Sequence, residues 1–493
     1  MFWVYLVLLL PLIIGIFSWI SPNLKETERI HFWGSILFFF VGIRIIYQVY
    51  QKGPMISQNQ YFYVDELSSW IMMMIVVIGF LSSIYSIGYI REEQERHSLN
   101  EKQYQRYYLF FHLFLMTMVL AVVSNNIGIM WVAIELTALV SALLVAHDRS
   151  GTSLEAAWKY LIIGSVGISF ALIGVIFLYG AAVNQLGGTA SALHWTNLYE
   201  MANILNPNYL KYAFLFILIG FGTKAGLAPM HFWLPDAHSQ APTPISALLS
   251  GVLLNTAIFG VLRVYSILYQ VYHPVQWWLI LFGVFTVVIS VPFLLIQKDI
   301  KRLLAYSSVE HIGIIFFGLG IATPFAWYGA ILHMLNHTLI KSMLFFSAGH
   351  MVVRYRSKWM NRIRGVYHNL PISGVLFLIG IFAITGSPPF NAFISEYHIL
   401  LGGIDSGLAL WTIIVFFSII LIFAGMFYYG SKMILGKNQE ENLNKQIRKE
   451  NRWMVSPMLI LGFLVILFGT YIPAPIDQFI QRTIRILQGG GLS

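Results

Sequence analysis

The stretch Tyr209–Thr256, YLKYAFLFILIGFGTKAGLAPMHFWLPDAHSQAPTPISALLSGVLLNT, decides how the rest of the chain is read. Lys224 stands in the middle of an apolar run long enough to cross a bilayer, flanked by Gly220, Gly222 and Gly226 and followed by Pro229. An ionisable group near the bilayer centre costs roughly 2.5 to 3.5 kcal/mol on insertion scales, so such a residue faces a protein interior and marks an ion pathway by default. The proline removes a backbone donor and breaks the helix, and the freed carbonyls need a cavity lined by protein or water. A broken helix carrying a buried cation is a transporter pattern. The bland alternative, a lysine snorkelling to the interface, is disfavoured because about ten residues, or about 15 Å of helix, lie on either side.

Composition places the whole chain in the same class. A chain of 493 residues with 58% hydrophobic residues, only 10% charged and a mean hydropathy of +0.72 is a polytopic membrane protein. There is no cysteine, which excludes disulfides, thiolate-held iron–sulfur clusters and thiol catalysis within the chain. The first apolar run, from 3 to 21, has no positive n-region and no cleavage site of small residues, and is expected to be a retained helix. Further runs of spanning length cover about 29–50, 63–90, 107–124, 126–147, 155–183, 210–235, 244–268, 276–297, 300–320, 325–352, 369–402, 408–434 and 454–473. This predicts an all-α protein of about 14 transmembrane helices.

Alternating those helices puts 22 lysines and arginines in loops on one side and four, Lys52, Lys211, Arg482 and Arg485, on the other. The positive-inside rule then predicts N- and C-termini outside, and it accounts for the net charge of +9 without nucleic acid. The most charged soluble piece, KMILGKNQEENLNKQIRKENRW at 432–453, is expected to be a solvated amphipathic segment, with docking of a peripheral partner as the alternative.

A second apolar segment, 369–402, is interrupted by Gly386, Ser387, Pro388 and Pro389. Breaks at corresponding places in two halves point to inverted repeats around a midplane ion site. The expected organisation is 1–106 with helices 1–3, a five-helix repeat at 107–268, a second at 276–434, and 435–493 with the inner loop, last helix and short outer tail. The breaks, around Pro229 and Pro388, then fall in the fourth segment of each repeat.

Several other ionisable residues lie at membrane depth. Glu135 is mid-helix; His333, His337 and Lys341 recur every four residues and share one helix face; Glu396 follows the second break. Acid, base and imidazole strung together in this way suit a proton relay. A metal on His333 and His337 is disfavoured, because Lys341 is next on that face and no third ligand is evident. Haem, with His112 as a second axial histidine, has no support in the spacing. Glu310 and His311 lie near the inner end of their helix, with interfacial and transport roles both open. Asp236 and His238 are either loop-capping groups or the inner mouth of a path. Glu155 and Lys159 are expected to be a surface i,i+4 pair.

GFGTKAGLAPMHFWLPDAHSQAPTPISALLSGVLL, QKDIKRLLAYSSVEHIG and HMLNHTLIKSMLFFSAGH resemble the proton-conducting, antiporter-like membrane subunits of respiratory complex I, Mrp-type cation/proton antiporters and membrane-bound hydrogenases, over about 60–435. FLSSIYSIGYIREE, SLEAAWKYLII, SSVEHIG and SPPFNAFISEYHIL are most similar to the component F type of the hydrogenase-4 and formate hydrogenlyase branch. The resemblance implies a fourteen-helix fold in a prokaryotic cytoplasmic membrane, with two inverted five-helix repeats around a polar axis. It implies that Glu135 and Lys224 form a gating charge pair, that His333, His337 and Lys341 form the central relay, and that Glu396 stands near the exit. Asn255 stands where several complex I subunits carry a lysine, so the link from Lys224 to His337 would pass through Asn255 and water.

The expected activity is proton translocation by a redox-driven complex. This chain would carry no cofactor and no metal, and iron–sulfur and nickel–iron centres would sit in peripheral hydrogenase-like partner subunits beside other membrane subunits. The alternative is a subunit of a multi-subunit Na+/H+ antiporter or ion-driven uptake system without a redox partner.

Overall fold

A computed structural model of the protein describes residues 1–95, 100–188, 190–437 and 449–490. Half of the 432–453 segment, residues 438–448, lies outside the described residues. The chain opens with α1 (Phe2–Ile20), α2 (Leu24–Lys52), a small antiparallel pair β1 (Met55–Ile56) and β2 (Tyr63–Val64), and α3 (Glu66–Gln94). Next come α4 (Glu101–Val123), α5 (Ile127–Val145), α6 (Gly151–Leu186), the short α7 (Trp195–Glu200), the half-helices α8 (Pro207–Ala225) and α9 (Trp233–Gln240), and α10 (Thr243–Leu248), which runs through a π-helical turn, Leu249–Leu253, into α11 (Leu254–Tyr269). They are followed by α12 (Gln276–Leu295), α13 (Ile300–Ile321), α14 (Pro324–Tyr355), the short α15 (Val366–Asn369), the half-helices α16 (Pro371–Ile384) and α17 (Asn391–Asp405), and α18 (Ala409–Leu435). α19 (Arg452–Thr470) and α20 (Ala474–Leu487) complete it.

Every predicted span is present. Among the described residues eleven helices are long and apolar enough to cross a membrane. The three predicted spans outside that set are the two broken ones and α14, which carries His333, His337 and Lys341. Local chemistry fixes the boundaries. Only three residues separate α4 from α5, because Asn126 caps α5 by accepting from the N–H groups of Gly128 (3.0 Å) and Ile129 (3.2 Å). Asp299 caps α13 through the N–H groups of Lys301 and Arg302, and Thr323 with Pro324 at the first helical position starts α14.

Helix neighbours recur between the halves. α4, α5, α6 and α8 pack in sequence, as α12, α13, α14 and the α16–α17 pair do. The same device makes both breaks. Gly226 (φ +92°) and Gly386 (φ +67°) adopt the left-handed conformation, and the residue after each donates back into the helix, Leu227 to Gly222 O (2.9 Å) and Ser387 to Phe382 O (3.0 Å). Side chains satisfy groups freed by the first break: Trp233 Nε1 donates to Thr223 O (2.9 Å), and the Ala228 N–H donates to Thr286 Oγ1 (3.0 Å) on α12.

The sequence-based expectation missed α20, reading the end of the chain as a tail. Phe479, Ile480, Thr483, Ile484, Ile486 and Leu487 are buried, so one face of this amphipathic helix seals against α3, α11 and α14.

A methyl group at Gly386 would overlap Glu396 Oε2, whereas one at Gly407, also at positive φ (+76°), meets open space. Both substitutions to alanine carry the left-handed backbone penalty of about 1–2 kcal/mol. Gly386→Ala is therefore expected to lower the melting temperature in detergent clearly more than Gly407→Ala.

Candidate functional site: a buried line of titratable groups

The first break brings Lys224 into the last turn of α8, where unpaired carbonyls and the helix macrodipole favour a cation. Its ammonium is wholly buried and donates to Tyr160 Oη of α6 at 2.6 Å. It also lies over the rings of Tyr160 (4.5 Å) and Trp233 (5.8 Å), which stack with centroids 4.6 Å apart. Tyr160 Oη shares a 2.7 Å hydrogen bond with Ser141 Oγ of α5. Glu135, further along α5, accepts from Ser165 Oγ of α6 (2.9 Å) through Oε1, and its Oε2 has no hydrogen-bond partner. No ion pair within 4.0 Å joins Glu135 to Lys224 among the described residues. The anticipated contact pair is replaced here by a lysine seated on a phenol and a glutamate seated on a serine.

The π-helical turn between α10 and α11 leads to the bridge between the halves. Asn255 Nδ2 donates to Gly251 O (2.9 Å) and Thr338 Oγ1 (2.8 Å), next to His337 on α14, while its Oδ1 is buried without a partner. A wide turn of this kind leaves carbonyls to be shared, and Thr338 Oγ1 donates to that of Gly251 at 2.6 Å.

In the second half Lys341 donates to Leu304 O (2.9 Å) and to Ser307 Oγ, both on α13. His337 makes no hydrogen bond through either ring nitrogen and lies 5.5 Å, centroid to centroid, from His311. His311 is the hub. Its Nδ1 is 3.0 Å from His333 Nε2 and 3.9 Å from Glu396 Oε1, and its Nε2 is 3.8 Å from Glu310 Oε2. His333 Nδ1 meets Ser395 Oγ (2.8 Å), which also accepts from Asn336 Nδ2 (3.0 Å) beside the second break.

Glu310 and His311 need correction. They lie at the middle of α13, 2% and 1% exposed, inside the polar line and not near the inner end. α13 starts at Ile300, as the predicted span at 300–320 has it, and already takes Lys301 inside, where its ammonium donates to Ala241 O (2.8 Å), so the helix is buried from its first turn. Asp236 and His238 separate. Asp236 pairs with Arg302 and with Lys159 (3.5 Å), which also binds Glu155 (2.5 Å), so the expected surface pair is one side of a network tying α6, α9 and α13. His238 is buried, stacked on Phe345 at 5.3 Å, with both ring nitrogens unbonded.

Donor atoms of His311, His333 and Glu396 lie within 4.8 Å of one another. Two nitrogens on one tetrahedral zinc would stand about 3.3 Å apart. The 3.0 Å separation here is a hydrogen bond that holds a proton between the rings. His112 is likewise hydrogen-bonded directly to His31 (2.9 Å), leaving no room for iron between them.

Sequence reasoning missed Tyr160, Ser165, Ser307 and Ser395, neutral hydroxyls that seat the charged and imidazole groups. It also left Arg263 unassigned. Arg263 makes a two-pronged pair with Asp65 (2.6 and 2.7 Å), donates to Ser68 Oγ and lies over Trp195 at 4.1 Å, joining α11 to α3. The available signal was an aspartate capping the apolar run of α3.

The description "NADH:quinone oxidoreductase/Mrp antiporter, TM" matches residues 124–422, and "NADH-Ubiquinone oxidoreductase (complex I), chain 5 N-terminus" matches 56–108. The chain belongs to this family of ion-translocating membrane subunits. It is 39% identical over 378 residues to the hydrogenase-4 component F homolog of Methylacidiphilum infernorum, covering 76% of this chain and 79% of that one. It is 33% identical to hydrogenase-4 component B of Escherichia coli, across 68% of this chain and 49% of that longer protein. Its fold matches a chain in the structure of the membrane-bound sulfane sulfur reductase, an archaeal respiratory membrane complex, with a TM-score of 0.86 at 24% identity, over 98% of this chain and 97% of the other. The protein is thus a multi-pass membrane member of the family, with the fold expected from the resemblance.

Removing one partner of a buried ion pair leaves an uncompensated charge, at a cost of about 3–5 kcal/mol. Asp65→Asn is therefore expected to destabilise the purified protein strongly in detergent melting. Asp236→Asn, whose network is partly exposed, should change the melting temperature little.

Proposed function

We propose that this chain is the proton-translocating membrane subunit of a redox-driven complex of the hydrogenase-4, formate hydrogenlyase or complex I type. In this reading it lies in a prokaryotic cytoplasmic membrane with both termini outside, and iron–sulfur or nickel–iron centres belong to peripheral partner subunits. The observation that carries the proposal is Lys224: a fully buried ammonium beside a helix break, held by a neutral phenol with a half-satisfied carboxylate on the adjoining helix.

Lys224 would alternate between two seats. Beside Glu135 the ammonium is paired; on Tyr160, with Glu135 drawn towards a cation in a neighbouring subunit, it lacks a counter-charge and passes its proton on. The route proposed runs by Asn255 and water to His337 and Lys341, then through His311, His333 and Glu310 to Glu396 beside the second break. Moving one charge against 100 mV requires about 2.3 kcal/mol, which the redox partner must supply. His238, buried and unbonded, would link the relay to the inner side.

Lys224→Ala is expected to abolish coupled proton uptake into vesicles while the complex still assembles; uptake at the normal rate would overturn the scheme. Tyr160→Phe keeps the ring stack and removes the second seat, and in a high-resolution structure its Lys224 should move to within 4 Å of Glu135. Lys341→Arg should also stop uptake, since arginine does not release its proton.

The family description also names Mrp antiporters, which supports a second reading, a Na+/H+ antiporter subunit. Gentle solubilisation and mass spectrometry of what co-purifies separates the two. Hydrogenase-type and iron–sulfur subunits support the redox reading, while small multi-pass proteins alone support the antiporter.

A further inference from the structure

Of the four basic residues that helix alternation assigns to the side of the chain's N-terminus, three meet at one place. Lys52, Arg482 and Arg485 line a cavity of about 320 Å³ between the end of α2, the start of α3 and the polar face of α20, with Tyr50, Tyr63 and Glu66 completing its walls. One carboxylate therefore faces three cations. Arg482 is partly engaged, donating to Tyr50 O (3.0 Å) and standing 3.8 Å from Glu66. Lys52 and Arg485 have no ion-pair partner among the described residues. On a side that holds so few positive charges this convergence is an excess aimed at an anion.

The position selects the kind of anion. α2 and α3 are long and apolar enough to cross a membrane, and the cavity lies at the end of α2 and the start of α3, where a spanning helix meets lipid headgroups. α20 packs its apolar face against the bundle, and Arg482 and Arg485 line the cavity beside it. On α2, Leu37, Phe40 and Tyr47 are about half or more exposed and share a helix face with exposed Arg44, which lies against the Trp3 ring (6.0 Å), and this face leads towards Gln51 at the cavity wall. An acyl chain can lie along that stripe while a phosphate occupies the basic mouth, as basic pockets between spanning helices hold anionic headgroups.

We propose that Lys52, Arg482 and Arg485 form a binding site for the headgroup phosphate of an anionic glycerophospholipid, with α20 closing the site over the ends of α2 and α3. The bound lipid neutralises the surplus charge and fastens α20 to the bundle. The inference does not depend on which ion the protein moves.

The test is native mass spectrometry of the purified complex after incubation with mixed micelles of phosphatidylglycerol and phosphatidylcholine. The wild type should retain phosphatidylglycerol selectively. Lys52→Gln with Arg485→Gln removes two side chains that make no hydrogen bond or ion pair among the described residues, so the variant is expected to fold, and it should weaken retention about thirtyfold. Lys211→Gln, which removes the fourth basic residue of that side, packed instead on Tyr272 at 4.0 Å, should leave retention unchanged. Equal retention by the double variant overturns the proposal. So does cross-linking of a Lys52→Cys protein in native membranes to an acidic segment of another subunit, which would make the cavity a protein contact.

Discussion

An ammonium group inside a membrane protein needs something to replace water, and what replaces it here is mostly neutral. Lys224 rests on a phenol and the end of a half-helix, Lys341 on a serine and a backbone carbonyl. These partners accept hydrogen bonds without neutralising the charge. A buried carboxylate in contact would hold each proton tightly; oxygen dipoles hold it loosely enough to be moved. The buried Arg263–Asp65 pair is the contrast, since a guanidinium locked on its carboxylate with two bonds is a fixed joint.

Both helix breaks follow from that need. Opening α8 after Ala225 exposes carbonyls beside Lys224, and opening the second helix before Asn391 puts Glu396 within two turns of a new N-terminus. Cation and anion thus stand at the helix ends whose dipoles suit them. The glycines at the turns allow the left-handed conformation, and Gly386 also leaves room for the Glu396 carboxylate.

The fold was legible because membrane spans announce themselves by length and apolarity, and because Gly226 with Pro229 and Gly386 with Pro388 punctuate otherwise uninterrupted runs. The ionisable residues of the candidate site stood out for the same reason: Lys224 or Glu396 is conspicuous against hydrocarbon. Tyr160 and Ser307 were not, since tyrosine and serine are common in apolar helices and only their direction towards a lysine gives them a role. Depth was harder still. Glu310 and His311 stood close in sequence to a charged loop, and it is their burial against His333 and Glu396 that puts them inside the polar line. α20 was hidden because its apolar residues occupy one face of a short polar segment, far below the hydropathy of a span.

The wide turn at Leu249–Leu253 has a consequence for how this helix is compared with others. It acts as a phase shift: residues before it and after it fall on faces that a constant 3.6-residue period would not assign to them. Asn255 faces α14 because of that offset. A helical wheel drawn straight through 243–269 would point it elsewhere, and a relative lacking the extra residue would present a different side chain at the junction of the two halves.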